Sequence, residues 1–421
     1  MKKLIAIAIV FALVAGAAFA DTAISGTVET RFTLIDGVNN PEDARNPTTF
    51  GGIGTAYLQF SGSNADNTVG ALWRFRNTDV VRSAAWWHRA FVWWRPIPQL
   101  RVFLGIDNDG MYSSGDALTD WAFHQGVEDY ISIHHWDFWR MVFPGHWDGF
   151  GLSLSGYIPL PLSFLDNINV NVTIPTGGLN WPQATQGQVT NSILADHLYP
   201  GGLKVQSNFN FPEIGKLFIT YDAPGAAQKT GEGADFREIT PEEGNGGYMG
   251  ISFLLEALRS FGVRLQPGVS FNLLGPDAPT KDITIGLGFH GVWGNFGLKV
   301  RGATVITTTT VKDSDDITEA FITANIMPWY KLSFMTVYCD IGMSILTKDA
   351  ERTDADKADG FGWWLNPYVK IPLGGPALEG GLIVRTSNIG TGNTRDNVAY
   401  TAEDTEIPIR YAIPIRFVFS F

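Results

Sequence analysis

Past residue 20 this 421-residue sequence has no run of 18 or more apolar residues, which leaves no helical membrane span. It has one cysteine, Cys339, so no intramolecular disulfide can form and a small disulfide-stapled scaffold is excluded. Basic residues are in the minority, 30 Lys and Arg against 42 Asp and Glu, for a net charge of −12. That is a poor match for nucleic acid, whose binding rests on cationic contacts to phosphate. G-x-S-x-G, the P-loop, the dinucleotide fingerprint and H-E-x-x-H are all missing, so no enzyme and no cofactor are expected. No Pro/Gly-rich linker divides the chain, and no clean repeat or low-complexity tract occurs.

What is present begins with a leader. "MKKLIAIAIVFALVAGAAFA" has a basic start at Lys2 and Lys3, an apolar run from Leu4 to Val14, and a small-x-small end at Ala18-Phe19-Ala20. This pattern predicts a cleaved secretory signal peptide over 1–20 and export from the cytoplasm. Its removal leaves 28 basic against 42 acidic residues, a net charge of −14.

From Asp21 onward, apolar and polar residues alternate in segment after segment. In "NTVGALWRFRN", Val69, Ala71, Trp73 and Phe75 fall on one face, while Arg74 and Arg76 fall on the other. A period of 2 is the signature of a strand with two unlike faces. About eighteen such segments are predicted: 22–35, 52–61, 68–76, 85–94, 99–106, 150–158, 167–174, 202–211, 216–222, 247–256, 262–273, 282–290, 295–309, 318–327, 330–346, 360–371, 377–386 and 407–421. A short helix is the alternative for "AWWHRAFVWW", and a further hairpin inside 107–149 would raise the count to twenty. Cys339 sits in the alternating run "KLSFMTVYCDIGMSIL" and reads as a strand residue.

The linkers have their own rhythm. Long ones, among them 36–51, 107–149, 175–201, 223–246, 347–359 and 387–406, follow odd-numbered segments. Short ones, "SGSNAD", "RPIP", "FPEIG", "LRSFG", "GVWG", "MPW" and "PLGGPA", follow even-numbered ones. The fold class expected is all-β: a single antiparallel transmembrane barrel over 21–421, with 16 to 20 strands, short turns at one end and long loops at the other.

The last segment, "RYAIPIRFVFSF", carries the most specific signal. Tyr411, Ile413, Ile415, Phe417, Phe419 and Phe421 form one apolar stripe, with Arg410 and Arg416 on the opposite face. A stripe of this kind suits a strand with lipid on one side and a polar lumen on the other. With leader, alternation and loop rhythm, the chain resembles the bacterial outer-membrane β-barrels of porin type, over essentially all of 21–421. In that family a last strand ending in Phe is recognised by the barrel assembly machinery, which is the role the resemblance implies for these six residues. It also implies residence in outer-membrane lipid. Homotrimers are common in the family, and the sequence leaves the oligomeric state open.

In trimeric porins the third outer loop folds inward and narrows the lumen, its acids facing arginines on the wall. The longest linker here, 107–149, is the third, and it carries Asp116, Asp120, Glu128, Asp129 and Asp137. Alternation puts Arg31, Arg74, Arg76 and Arg101 on the lumen face, and Lys299 and Arg301 share one face. Acids opposite arginines would set a transverse field that passes small polar solutes. The same loop contains Trp136, Phe138, Trp139 and Trp147, an aromatic platform for sugar rings or a surface that packs the loop onto the wall. Its histidines include the adjacent pair His134-His135, which on a strand would point to opposite faces, so no metal site is expected. The function expected is passive diffusion of small polar solutes. A substrate-selective transporter for sugars or hydrophobic solutes, and a plugged barrel serving as an adhesin or structural protein, are the alternatives.

Overall fold

A computed structural model gives the fold. It describes residues 21–39, 51–77, 86–107, 147–160, 162–177, 204–222, 245–274, 280–309, 317–347, 357–358, 360–386, 401–402 and 409–420. Residues 1–20, most of loop 107–149 and Phe421 therefore lie outside the described residues.

Every predicted alternating segment is a strand. In chain order they are β1 (Asp21–Asn39), β2 (Gly51–Ser63), β3 (Val69–Asn77), β4 (Trp86–Ile97), β5 (Leu100–Asp107), β6 (Trp147–Pro159), β7 (Asn167–Gly177), β8 (Lys204–Phe211) and β9 (Gly215–Asp222). There follow β10 (Asn245–Leu255), β11 (Val263–Leu274), β12 (Thr280–Trp293), β13 (Phe296–Thr309), β14 (Ile317–Lys331), β15 (Thr336–Leu346) and β16 (Gly360–Pro372). The last two are β17, in the segments Ala377–Gly381 and Ile383–Thr386, and β18 (Ile409–Ser420). Each pairs antiparallel with its neighbours in sequence, and β1 pairs with both β2 and β18. The sheet is thus closed, an eighteen-stranded barrel with no free edge. Closure satisfies each strand's backbone donors and acceptors without water, as a membrane interior requires. A two-residue ladder, Lys357–Ala358 with Thr401–Ala402, lies apart from the barrel sheet.

The predicted strand over "AWWHRAFVWW" holds from Trp86 onward, and the helix alternative falls away. Two local expectations change. "MPW" is not a turn: β14 runs through Pro328 to Lys331, and the chain reverses at Leu332–Met335, where Leu332 N–H donates to the Met335 carbonyl at 2.8 Å. "RPIP" contributes Ile97 to β4, leaving Pro98 and Gln99 as the turn. Proline also explains the break in β17. Its pairing register with β16 is unbroken from Tyr368↔Gly381 to Leu365↔Val384, but Pro367 has no N–H to give the carbonyl opposite it.

The eight connections after even-numbered strands are short and share one end of the barrel. The β2–β3 turn shows how such a turn is encoded. The Asn64 side-chain carbonyl accepts from the Thr68 and Val69 N–H groups at 2.8 and 3.0 Å, and Asn67 takes the left-handed φ of 51° that Asn tolerates.

The two faces invert the arrangement of a soluble protein. Outward-pointing Leu104, Ile285, Ile326, Ile341, Phe417 and Phe419 are exposed. Inward-pointing Gln206, Ser252, Gln266, Asp340, Ser344 and Asn366 are buried. An exposed aromatic belt that includes Trp94, Trp293, Phe296 and Tyr330 lies near the short turns, the position of an interfacial girdle.

Candidate functional site

The lumen wall is built by parity and register, because residues directly opposed in a ladder share a face. Arg74 opposes Gln59 and Arg89, and its Nε and Nη2 both donate to Gln59 Oε1, at 2.9 and 2.7 Å. Arg76 opposes Tyr57 and Trp86. Arg31 of β1 opposes Arg416 of β18 in the ladder that closes the barrel. Arg416 Nη1 lies 3.2 Å from Glu379 Oε2, and Lys370 Nζ lies 2.9 Å from Glu379 Oε1. Glu379 is 1% exposed, so a buried carboxylate is compensated from both sides. Arg101 stands over the rings of Trp93 at 4.7 Å and Phe103 at 5.6 Å.

A second charged row crosses the far wall. Glu256, just past the end of β10, and Arg264, His290 and Lys299 of β11–β13 follow one another, with Arg264 Nη2 2.7 Å from Glu256 Oε1. His290 stacks on Trp329 at 5.3 Å. Asp340, fully buried, accepts from Asn325 Nδ2 at 3.1 Å and Trp364 Nε1 at 3.0 Å. Tyr338 and Tyr368 stack nearly parallel, centroids 4.6 Å apart, and the Tyr368 hydroxyl meets Met327 Sδ at 3.7 Å. Lys299 and Arg301 lie on this wall together, as their parity predicts, and Arg301 is buried.

Two features of the wall escape a reading of single segments. One is a carboxamide grid: Asn167, Asn169 and Asn171 of β7 directly oppose Asn210, Asn208 and Gln206 of β8. Asn169 Nδ2 donates to Asn167 Oδ1 at 3.1 Å, and Asn167 Nδ2 donates to Asp166 Oδ2 at 2.6 Å. The alternations "NINVNV" and "QSNFNF" were its available signal. The other is a repeated Gly–Trp pair. Trp93, Trp329 and Trp364 lie flat on Gly70, Gly297 and Gly342 of the neighbouring strand, so closely that a Cβ on any of the three glycines would overlap an indole. Each of these tryptophans meets a charged side chain: Arg101 for Trp93, Lys299 for Trp329, Asp340 for Trp364.

Solvent access around the lumen is uneven. On β8–β17 the mid-strand inward residues are mostly dry, Gln206, Gln266, Asp340 and Asn366 among them. On β2–β6, inward Gln59, Ser61, Arg74, Trp93, Arg101 and Ser155 keep partial exposure. A cavity of about 650 Å³ opens on that side near the short turns, bordered by Ser61, Ser63, Asn67, Phe91, Trp93, Arg101 and Phe103.

The remaining sequence-predicted residues divide in two. Tyr411, Ile413, Ile415, Phe417 and Phe419 share the outward face of β18, which closes the barrel against β1. Asp116, Asp120, Glu128, Asp129, Asp137, Trp136, Phe138 and Trp139 lie outside the described residues, and Trp147 is the first residue of β6.

No protein-family model matches the chain, and no curated protein matches it. Among solved structures, it is similar to OmpT, an outer membrane protein of Vibrio cholerae in trimer form (8% identity, 95% of this chain and 99% of that one, TM-score 0.47). It is similar also to OmpF of Salmonella typhi in complex with daunomycin (11%, 95% and 97%, TM-score 0.46). A third is the outer membrane channel DcaP of Acinetobacter baumannii (9%, 95% and 97%, TM-score 0.44).

Proposed function

We propose that this protein is an outer-membrane channel for passive diffusion of small polar solutes. The observation that carries the reading is the inversion of the barrel: apolar side chains outside, and amides, hydroxyls and charged groups inside. A protein surrounded by water has no use for an exposed belt of Leu, Ile and Phe. One surrounded by lipid requires it, and a polar interior then serves whatever crosses.

The route we infer follows the partly exposed wall of β2–β6, past Arg74 and Arg101, rather than the dry wall of β8–β17. Loop 107–149 folds inward beside this route, and Asp116, Asp120, Glu128, Asp129 and Asp137 face Arg31, Arg74, Arg76 and Arg101 across it. The wall arginines then bias the pore toward anions and the loop acids against them. Export by the 1–20 leader, assembly into the outer membrane through the β18 stripe and association as a homotrimer complete the proposal.

The test is the current through single molecules of refolded protein in a planar bilayer, with the reversal potential measured under a salt gradient. Ohmic steps are expected. Their absence from a protein shown to be folded would overturn the channel reading in favour of a plugged barrel.

A further inference from the structure

Strand β17 is split where each of its neighbours lacks a donor. Leu382 stands between its pieces Ala377–Gly381 and Ile383–Thr386, and among the described residues no other barrel strand is interrupted. The register places Leu382 opposite Pro367 of β16 and Gly381 opposite Pro414 of β18. Leu382 N–H donates to the Pro367 carbonyl at 3.0 Å. Along an antiparallel strand the polar groups of successive residues turn to alternate neighbours. The Leu382 carbonyl therefore faces Pro367 and the Gly381 carbonyl faces Pro414, and neither proline has an N–H to give. Pro267 and Pro328 also lie inside strands, but the strands beside them run unbroken.

A second defect adjoins the first. Asn366 points inward, and the same register sets it opposite Ile383. It is fully buried, and neither its Nδ2 nor its Oδ1 meets a partner among the described residues. A buried amide without partners carries its full desolvation cost, as does a carbonyl without a donor at membrane depth. Parting β16 from the Ile383–Thr386 piece would bring lumen water to both groups, so opening relieves what closure leaves unmet. The ladder there is short, with Trp364 and Leu365 of β16 opposite Arg385 and Val384. Toward the short turns the seam is held, because Glu379 takes Lys370 of β16 and Arg416 of β18. Both faces at the break are apolar: Leu382 points outward and is exposed, while Ile383 and Ala412 oppose each other inward.

We propose that the seam between β16 and the Ile383–Thr386 piece of β17 opens as a lateral portal between lumen and membrane, used by amphiphiles with a single apolar chain. The chain lies between Leu365 and Val384, and the polar head stays in lumen water. A gap between two strands passes one chain, and its apolar faces suit hydrocarbon. A solute polar throughout has no use for an exit into lipid. The portal does not rest on ion conduction.

The test uses full-length protein in lipid vesicles, with Cys339 replaced by Ala so that an introduced cysteine stands alone. The probe is dodecylmaleimide dissolved in the bilayer. It is offered to Asn366→Cys, at the seam, and to Ser344→Cys, also inward and fully buried but on β15. Asn366→Cys is expected to react about tenfold or more faster, since its exposure follows local opening of the seam. Adding Pro367→Ala, which gives the Leu382 carbonyl a donor, should slow that reaction about tenfold. Equal rates at the two positions, or a rate indifferent to Pro367→Ala, would overturn the portal. Hydrogen exchange of the unsubstituted protein guards against a misfolded variant. Amides of the Ile383–Thr386 piece should exchange about tenfold or more faster than those of Thr304 to Ile306 in β13, and equal protection would also overturn the proposal. Fast labelling in a protein that carries no current keeps the portal and sinks the channel; current with slow labelling does the reverse.

Discussion

The Arg101 guanidinium carbon stands 4.7 Å above the Trp93 ring, and the other face of that ring is pressed against Gly70. The absent Cβ of Gly70 is therefore what gives Trp93 its place, and Trp93 in turn places a lumen cation. Gly70→Ala puts a methyl where the indole lies. Overpacking of this kind costs about 1–3 kcal/mol. The expected result is a lower unfolding midpoint in urea and a smaller contribution of Arg101 to anion preference. Because the clash is with one side chain, Gly70→Ala combined with Trp93→Ala should destabilise less than the sum of the two. Additive losses would show that the glycine acts on something other than the tryptophan.

Arg74 tests the wall charge separately. Its Nε and Nη2 both donate to Gln59 Oε1. Arg74→Ala should move the reversal potential toward the cation limit, and replacing Arg76 as well should move it further. An Arg74→Lys channel should keep the wild-type sign. If the alanine variants leave the potential where it was, the proposed role of these arginines fails.

Glu379 is buried with Arg416 at 3.2 Å, and the Arg416 side chain is itself only 10% exposed. Breaking such a pair from one side strands a buried charge, at about 3–5 kcal/mol. Glu379→Ala should therefore lower stability toward urea by that order, read by tryptophan fluorescence. Lys370 reaches the same carboxylate at 2.9 Å but is well exposed, so Lys370→Ala should cost little. Removing both members, Glu379→Met with Arg416→Met, should recover much of the loss. A double variant no better than Glu379→Ala would mean that the pair does more than neutralise itself.

How much of this was legible beforehand differs by element. The strands were, because lipid outside and polar groups inside force strict alternation, and "NTVGALWRFRN" states both faces of β3 in eleven residues. The β14–β15 turn was misplaced because Pro328 looks like a breaker. In the structure it sits inside a strand, and the true turn, "LSFM", is as apolar as the strands it joins. Other properties belong to pairs of strands. That Asn169 faces Asn208, or that Gly70 lies under Trp93, depends on register, which single segments do not carry. The dry wall of β8–β17 and the partly exposed wall of β2–β6 depend on what fills the interior, one level further from sequence. Arg74 and Arg101 were placed on the lumen face by parity alone, whereas their partners Gln59 and Trp93 come only from the ladder.

The inversion of faces itself admits a direct test. Ile285 of β12 points outward and is 54% exposed, while inward-pointing Ser61 of β2 lies on the partly exposed wall. If lipid surrounds the barrel, Ile285→Arg puts a guanidinium into hydrocarbon and should cost about 2–4 kcal/mol near the bilayer midplane. Ser61→Arg, in contact with water, should cost far less. The comparison is made by urea unfolding in lipid vesicles. Detergent micelles should shrink the difference, because the arginine head can reach water more readily from a thin apolar layer. Equal penalties for the two substitutions in vesicles would remove the membrane from the account, and with it the reason for a polar lumen.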